Sequence, residues 1–240
     1  MRSSALKITD KSVAIVQSNY IPWKGYFDLI HSVDEFILYD DVQYTKRDWR
    51  NRNQIKTAQG LLWLTIPVEV KGKFSQSVRE TKIASTDWAK KHWQTISQNY
   101  ARAPYFKEYR ERFEALYLTE QPEYLSEVNF RFLEALKEML SITTPLLFSS
   151  EYGFEKDEKN QQLLKLCHKA GANQYLSGPA AAGYLDMQAW KSEGVTVSVY
   201  DYSGYPEYRQ SFPPFEHAVS VIDLILNEGP NAPRFLKSFK

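Results

Sequence analysis

Cysteine occurs once in the 240 residues, at Cys167, so no intrachain disulfide can form, as expected in a reducing compartment. The thiol lies in LLKLCHKAG, behind Leu164 and Leu166, the setting of a core side chain on a helix. His168 is its neighbour, and adjacent helical residues point in different directions, which argues against a Cys-His catalytic pair. The other histidines, His31, His92 and His217, are far apart and show no zinc-ligand spacing, so no metal site is expected from them. No apolar run approaches the roughly 20 residues a membrane span needs. The opening MRSSALKITDKS is too polar for a signal sequence, and a cytoplasmic protein without membrane insertion is expected. Net charge is nearly absent too: 30 Lys and Arg against 29 Asp and Glu leave +1, so any anion site must be a local cluster. G-x-G-x-x-G, G-x-x-x-x-G-K-[ST] and G-x-S-x-G are all missing, which removes the standard dinucleotide, P-loop and hydrolase signatures.

What is present is an ordinary globular share of charge, 25%, with 16 Tyr, 13 Phe and 6 Trp. The length suffices for a sizeable core. Short β-friendly runs at 13–17, 36–39, 61–70, 146–149, 174–177 and 195–201 read as strands, with 78–84 a further strand pairing back. Helices are expected at 25–32, 86–102, 104–118, 122–140, 157–170, 186–192 and 215–227, several opening on proline or closing on glycine. Strands alternating with helices at both ends indicate an α/β fold with a mostly parallel, Rossmann-like sheet covered by helices. The expected organisation is a single domain over 1–240, with 86–140 as a helical insertion or cap.

In such sheets ligands bind beyond the carboxyl ends of the strands. Four unusual loops fall there. The first, Ser18 to Gly25 in QSNYIPWKGYFDLI, offers Gln17, Asn19, Tyr20 and Trp23 for binding, with Lys24 at a helix amino terminus suited to anions. It can equally be a plain βα turn in which Trp23 plugs the core. The second, Asp40 to Asn53, holds Lys46, Arg47, Arg50 and Arg52 interleaved with Asn51, Asn53, Tyr44 and Trp49. Guanidinium forks beside amides and rings look like a surface for phosphate and sugar rather than a solubility patch. Asp40 and Asp41 open this loop, where turn-forming aspartates are common; the pair could equally hold a divalent cation, and Asp41 is also a candidate proton acceptor. The third, YLSGPAAAGYL, puts Ser177 and Gly178 where a ligand can approach the backbone. The fourth, YDYSGYPEYRQ, carries Tyr202, Tyr205 and Tyr208, and His217 follows as a candidate titrating group.

These stretches, together with DEFILYDDVQYTKRDWRNRNQIK, WLTIPV and PFEHAVSVIDLILNEGP, resemble the WbqC-like family over about residues 13–233. Ser18 departs from the pattern, where the family often has proline. The resemblance implies a place in bacterial O-antigen or other surface-polysaccharide synthesis. An acyl- or aminoacyl-transfer on a nucleotide-linked amino sugar suits that setting. The first motif is also similar to the strand-loop-helix opening of nucleotidylyltransferases and class I aminoacyl-tRNA synthetases, without their histidines.

Three readings result. One is a transferase whose basic loop binds the phosphates, whose aromatic loops hold sugar and base, and whose proton acceptor is His217 or Asp41. The second is a nucleotidylyltransferase-like enzyme using a nucleoside triphosphate with Mg, in which Lys24 or the arginines stabilise phosphate charge. The third is a non-enzymatic binding module of the polysaccharide machinery. A phosphate-bearing small molecule is the expected partner; nucleic acid is not indicated by the charge balance, although an aminoacyl-tRNA donor stays open.

Overall fold

The computed structural model describes residues 10–153, 157–179, 183 and 185–239. Its centre is strand β1 (Ser12–Val16), SVAIV, whose middle residues are buried on both faces, as a strand inside a parallel sheet requires. Helix α1 (Lys24–His31) follows, and β2 (Glu35–Leu38) then pairs parallel with β1, Val13 opposite Glu35 and Val16 opposite Leu38. Strands β5 (Leu146–Phe148), β6 (Gln174–Ser177) and β7 (Thr196–Val199) complete five parallel strands in the order β5-β2-β1-β6-β7. The Rossmann-like α/β expectation is borne out.

Period-two alternation divides the sheet between two cores. Ala14, Phe36 and Leu38 face one cluster with α1, while Val13, Ile15 and Ile37 face the other. The first cluster also takes in α2 (Asp87–Tyr100), α3 (Phe106–Leu118), α4 (Leu125–Met139) and α7 (Val221–Glu228). The second is covered by α5 (Lys159–Lys169) and α6 (Met187–Ser192), through Leu163, Leu166 and Trp190. Cys167 lies in that second core, and burial pushes its thiol up to about 12, so it packs as an apolar group. No helix among the described residues is long and apolar enough to cross a membrane.

The crossover from β2 to β5 contains the largest departure from the sequence reading. The basic stretch does not stay a loop to residue 53. Arg52–Thr57 forms β3, which pairs antiparallel with β4 (Gly60–Thr65) in a separate two-stranded sheet. The strand expected at 61–70 therefore stops at Thr65, just ahead of Pro67, which can donate nothing to a ladder. The strand expected at 78–84 makes only two single bridges, Val68–Ile83 and Lys82–Tyr124. The final helix begins at Val221, not 215. Ser220 caps it by accepting from the Ile222 amide, and the preceding residues form a turn in which Glu216 N–H donates to Gln210 Oε1 at 2.8 Å. The remaining elements fall within a few residues of expectation.

Candidate functional site

The strand order reverses direction between β1 and β6, which makes their carboxyl ends the place where an open α/β sheet leaves a crevice. A crevice of about 610 Å³ is found there, lined by Gln17 and Arg50 on one side and by Ser177, Gly178 and Tyr202 on the other. Arg50 and Lys159 bring positive charge to it, and no described carboxylate lines it. An adjoining trough of about 810 Å³, lined by Asp41, Arg79 and Phe148 among others, shares Val42, Gln43, Lys159 and Gln162 with the crevice.

Arg50 is positioned from below. Asp40, buried at the end of β2, accepts the Ser18 amide at 2.8 Å and the Ser126 hydroxyl. Asn129, one turn further along α4, donates to Ser18 Oγ and to the Arg50 carbonyl, both at 2.9 Å. The first turns of α4 thus tie the β1 loop to the basic loop, and a backbone bond from Tyr20 N–H to the Trp49 carbonyl at 3.0 Å joins them again. Burial raises the Asp40 carboxyl, against the opposing pull of Ser126 and Ser18. The Arg50 guanidinium bonds Asn19 Oδ1 and lies 3.5 Å from Asp48, while its Nε is buried with no partner among the described residues. Ile21 completes this loop with φ of 37°, a region β-branched residues avoid, at a cost of about 1–3 kcal/mol held by its fully buried surroundings.

The aromatic loop is folded over Lys24 rather than left open. The ammonium donates to the Pro206 carbonyl at 2.8 Å and lies 5.2, 5.1 and 5.7 Å from the ring centres of Tyr205, Tyr208 and Phe215. Burial lowers the Lys24 pKa to about 8, although Asp28, Glu207 and Asp223 pull the other way. Tyr205 donates to Asp28 at 2.6 Å and Tyr208 to Asp223 at 2.8 Å, while Tyr202 alone of the three reaches the crevice. Burial raises the phenols of Tyr202, Tyr205 and Tyr208.

The model of the WbqC-like protein family matches residues 17–235. The chain belongs to that family. It is also similar to the uncharacterized protein Rv1507c of Mycobacterium tuberculosis, with 52% identity over 227 residues, covering 95% of this chain and 98% of that one. No solved structure matches it.

In this WbqC-like chain the expected site residues fall into five groups. Gln17, Arg50, Ser177, Gly178 and Tyr202 meet in the crevice, with Asp41 in the adjoining trough, where Ser149 donates to it at 2.6 Å. Asn19, Trp23 and Asn53 line a smaller slot of about 240 Å³ with Pro22, Trp49 and Ala218. Lys24, Tyr205, Tyr208 and His217 form the packing under the aromatic loop; His217 meets Phe215 edge to face at 4.6 Å, and burial and the Lys24 charge lower its pKa. Tyr20 is fully buried, bonded to His92 and Tyr117, and Asn51 holds the Ile66 carbonyl, so both side chains serve the core. Lys46, Arg47 and Arg52 line none of the three cavities: Lys46 covers Phe74, Arg52 stacks 4.2 Å from Trp63, and Arg47 is exposed with its carbonyl accepting from Arg52.

Sequence reasoning missed Lys159, Gln162, Gln43 and Arg79 as lining residues, and Ser126 and Asn129 as supports. Lys159 and Gln162 had a legible signal, since they occupy the first turn of the helix that follows β5. Ser126 and Asn129 had none, because polar residues beside an apolar helix face look like solvent positions.

Proposed function

We propose that this WbqC-like protein is a transferase acting on a nucleotide-linked amino sugar in bacterial surface-polysaccharide (O-antigen) synthesis, moving an acyl or aminoacyl group. The crevice at the β1/β6 switch point carries this reading: it is large enough for a nucleotide, at about 610 Å³, and its charged lining, Arg50 and Lys159, is cationic. The guanidinium fork of Arg50 suits a diphosphate, and Ser177 and Gly178 let it approach the backbone closely. Asp41, one compartment away, and His217, beside Ala218, are the candidate proton acceptors for the attacking amine.

Calorimetry with UDP- and dTDP-linked amino sugars tests the phosphate role. Arg50→Ala should weaken binding roughly 10- to 100-fold, the worth of one charge-assisted contact. Unchanged affinity would remove Arg50 from the site.

The strand order and the strand-loop-helix opening favour a second reading, nucleotidyl transfer from a nucleoside triphosphate with Mg. It calls on Asp40 or Asp41 as metal ligands, yet both Asp40 oxygens already accept hydrogen bonds from Ser18 and Ser126. A melting-temperature rise with ATP that requires Mg would favour it over sugar-nucleotide transfer.

A further inference from the structure

The slot beside the crevice has a chemistry of its own. Its volume, about 240 Å³, is below the roughly 300–1,000 Å³ of whole-ligand sites and fits one substituted ring. Trp23 and Trp49 supply indole surface, Pro22 and Ala218 apolar floor, and Asn19 and Asn53 amide hydrogen bonds. The indole of Trp23 is fixed in place: it lies over Gly25 so closely that a Cβ there would come within 2.3 Å of it, and it packs against Tyr202 and Tyr205 at 5.3 and 5.5 Å. Asn53 is oriented by bonds to the Tyr20 carbonyl and the Gln54 amide. Asn19 spends only its Oδ1 on Arg50, and its amide nitrogen bonds no described acceptor.

Arg50 connects the two cavities. Its side chain lines the crevice, and its guanidinium bonds Asn19 in the slot. We propose that the slot is a pyranose subsite: a nucleotide-linked sugar lies with its nucleoside in the crevice, its diphosphate at Arg50 and its sugar ring between Trp23 and Trp49. Indole faces suit the C–H faces of a pyranose, and amides serve hydroxyls that both donate and accept. The crevice, with Tyr39, Tyr175 and Tyr202 on its lining, has the room and the rings for the base. The assignment of the sugar rests on the crevice being the nucleotide site.

Trp49→Ala tests it, because that ring is 41% exposed and its loss leaves the core intact. Calorimetry compares UDP-N-acetylglucosamine, UDP, uridine and free N-acetylglucosamine on the wild type, Trp49→Ala and Trp49→Phe. The wild type should bind the sugar nucleotide about tenfold more tightly than UDP, a gap of about 1.4 kcal/mol. Trp49→Ala should close that gap and leave UDP affinity within about twofold, and Trp49→Phe should restore most of it. Equal losses for UDP and its sugar, loss of uridine binding, or no change in either variant would overturn the subsite. Free sugar bound by the wild type but not by Trp49→Ala, with no nucleotide bound at all, would keep the subsite and sink the crevice reading. Binding of none of the four probes by the wild type would overturn both.

Discussion

Lys24 shows how a cation expected to face a ligand can be engaged by its own chain. It stands at the first position of α1, where a phosphate-binding lysine would be expected, but its ammonium is turned under the aromatic loop onto the Pro206 carbonyl. Burial lowers its pKa from the ordinary 10.5 to about 8. Between those two values the folded chain has lost a proton that the unfolded chain still holds, so stability rises with pH across that window. Below about 8 that contribution is lost, because the charge is then borne in the buried state. The wild type should therefore gain stability relative to Lys24→Met between pH 8 and 10.5, measured by urea denaturation at each pH. A constant difference would mean that the ammonium is well solvated.

At the scale of elements, α4 acts on the site without lining the crevice. Asn129 is fully buried and holds both Ser18 and the carbonyl of Arg50. Asn129→Ala should destabilise the protein by about 2–3 kcal/mol, the cost of leaving buried acceptors unpaired. It should also weaken sugar-nucleotide binding, because the Arg50 loop loses its tie to the helix. Denaturation and calorimetry on the same variant separate the two effects; normal affinity would show that the loop's other bonds, to Tyr20, Ile66 and Asn19, hold it without the helix. The hairpin of β3 and β4 was only half legible for a related reason. RNQIKT alternates polar and apolar residues weakly, and its cations suggest a solvated loop until a partner strand supplies the ladder.

On the scale of the whole molecule, one carboxylate joins segments more than 170 positions apart. Asp28, fully buried on α1, accepts from Tyr200 and Tyr205 at 2.6 Å, from the Lys237 amide at 3.0 Å and from the Ser238 amide at 2.8 Å. His31 stacks on Phe239 beside it, with ring centres 3.9 Å apart. Burial pushes the Asp28 carboxyl up, but the bonds from Ser238, Tyr200 and Tyr205 outweigh it and leave the pKa below the ordinary 3.8. The depressed value makes the carboxylate stabilising above pH 3.8, with loss only as pH falls through the lower folded value. Asp28→Asn keeps the shape but replaces one accepting oxygen with a donor. It should cost about 3 kcal/mol at neutral pH, seen as a lower denaturation midpoint, and loosen the loop that carries Tyr202. A loss under about 0.5 kcal/mol would mean that the aromatic loop and the C-terminal turns hold without it.

The parallel sheet and most of its helices are legible from the residues alone, because buried strands and amphipathic helices are written in local periodicity. The sequence also marked loops that meet in the crevice, since Gln17, Arg50, Ser177 and Tyr202 follow strand ends that could be located from short apolar runs. Which members of those loops face the cavities is set by the packing of distant segments. Tyr20 and Tyr208 look like Tyr202 in the sequence, yet the first is bonded within the helical core and the second to Asp223, 15 positions away. Whether a polar ring or cation meets a ligand or a neighbouring segment depends on contacts between distant residues, which local composition does not encode.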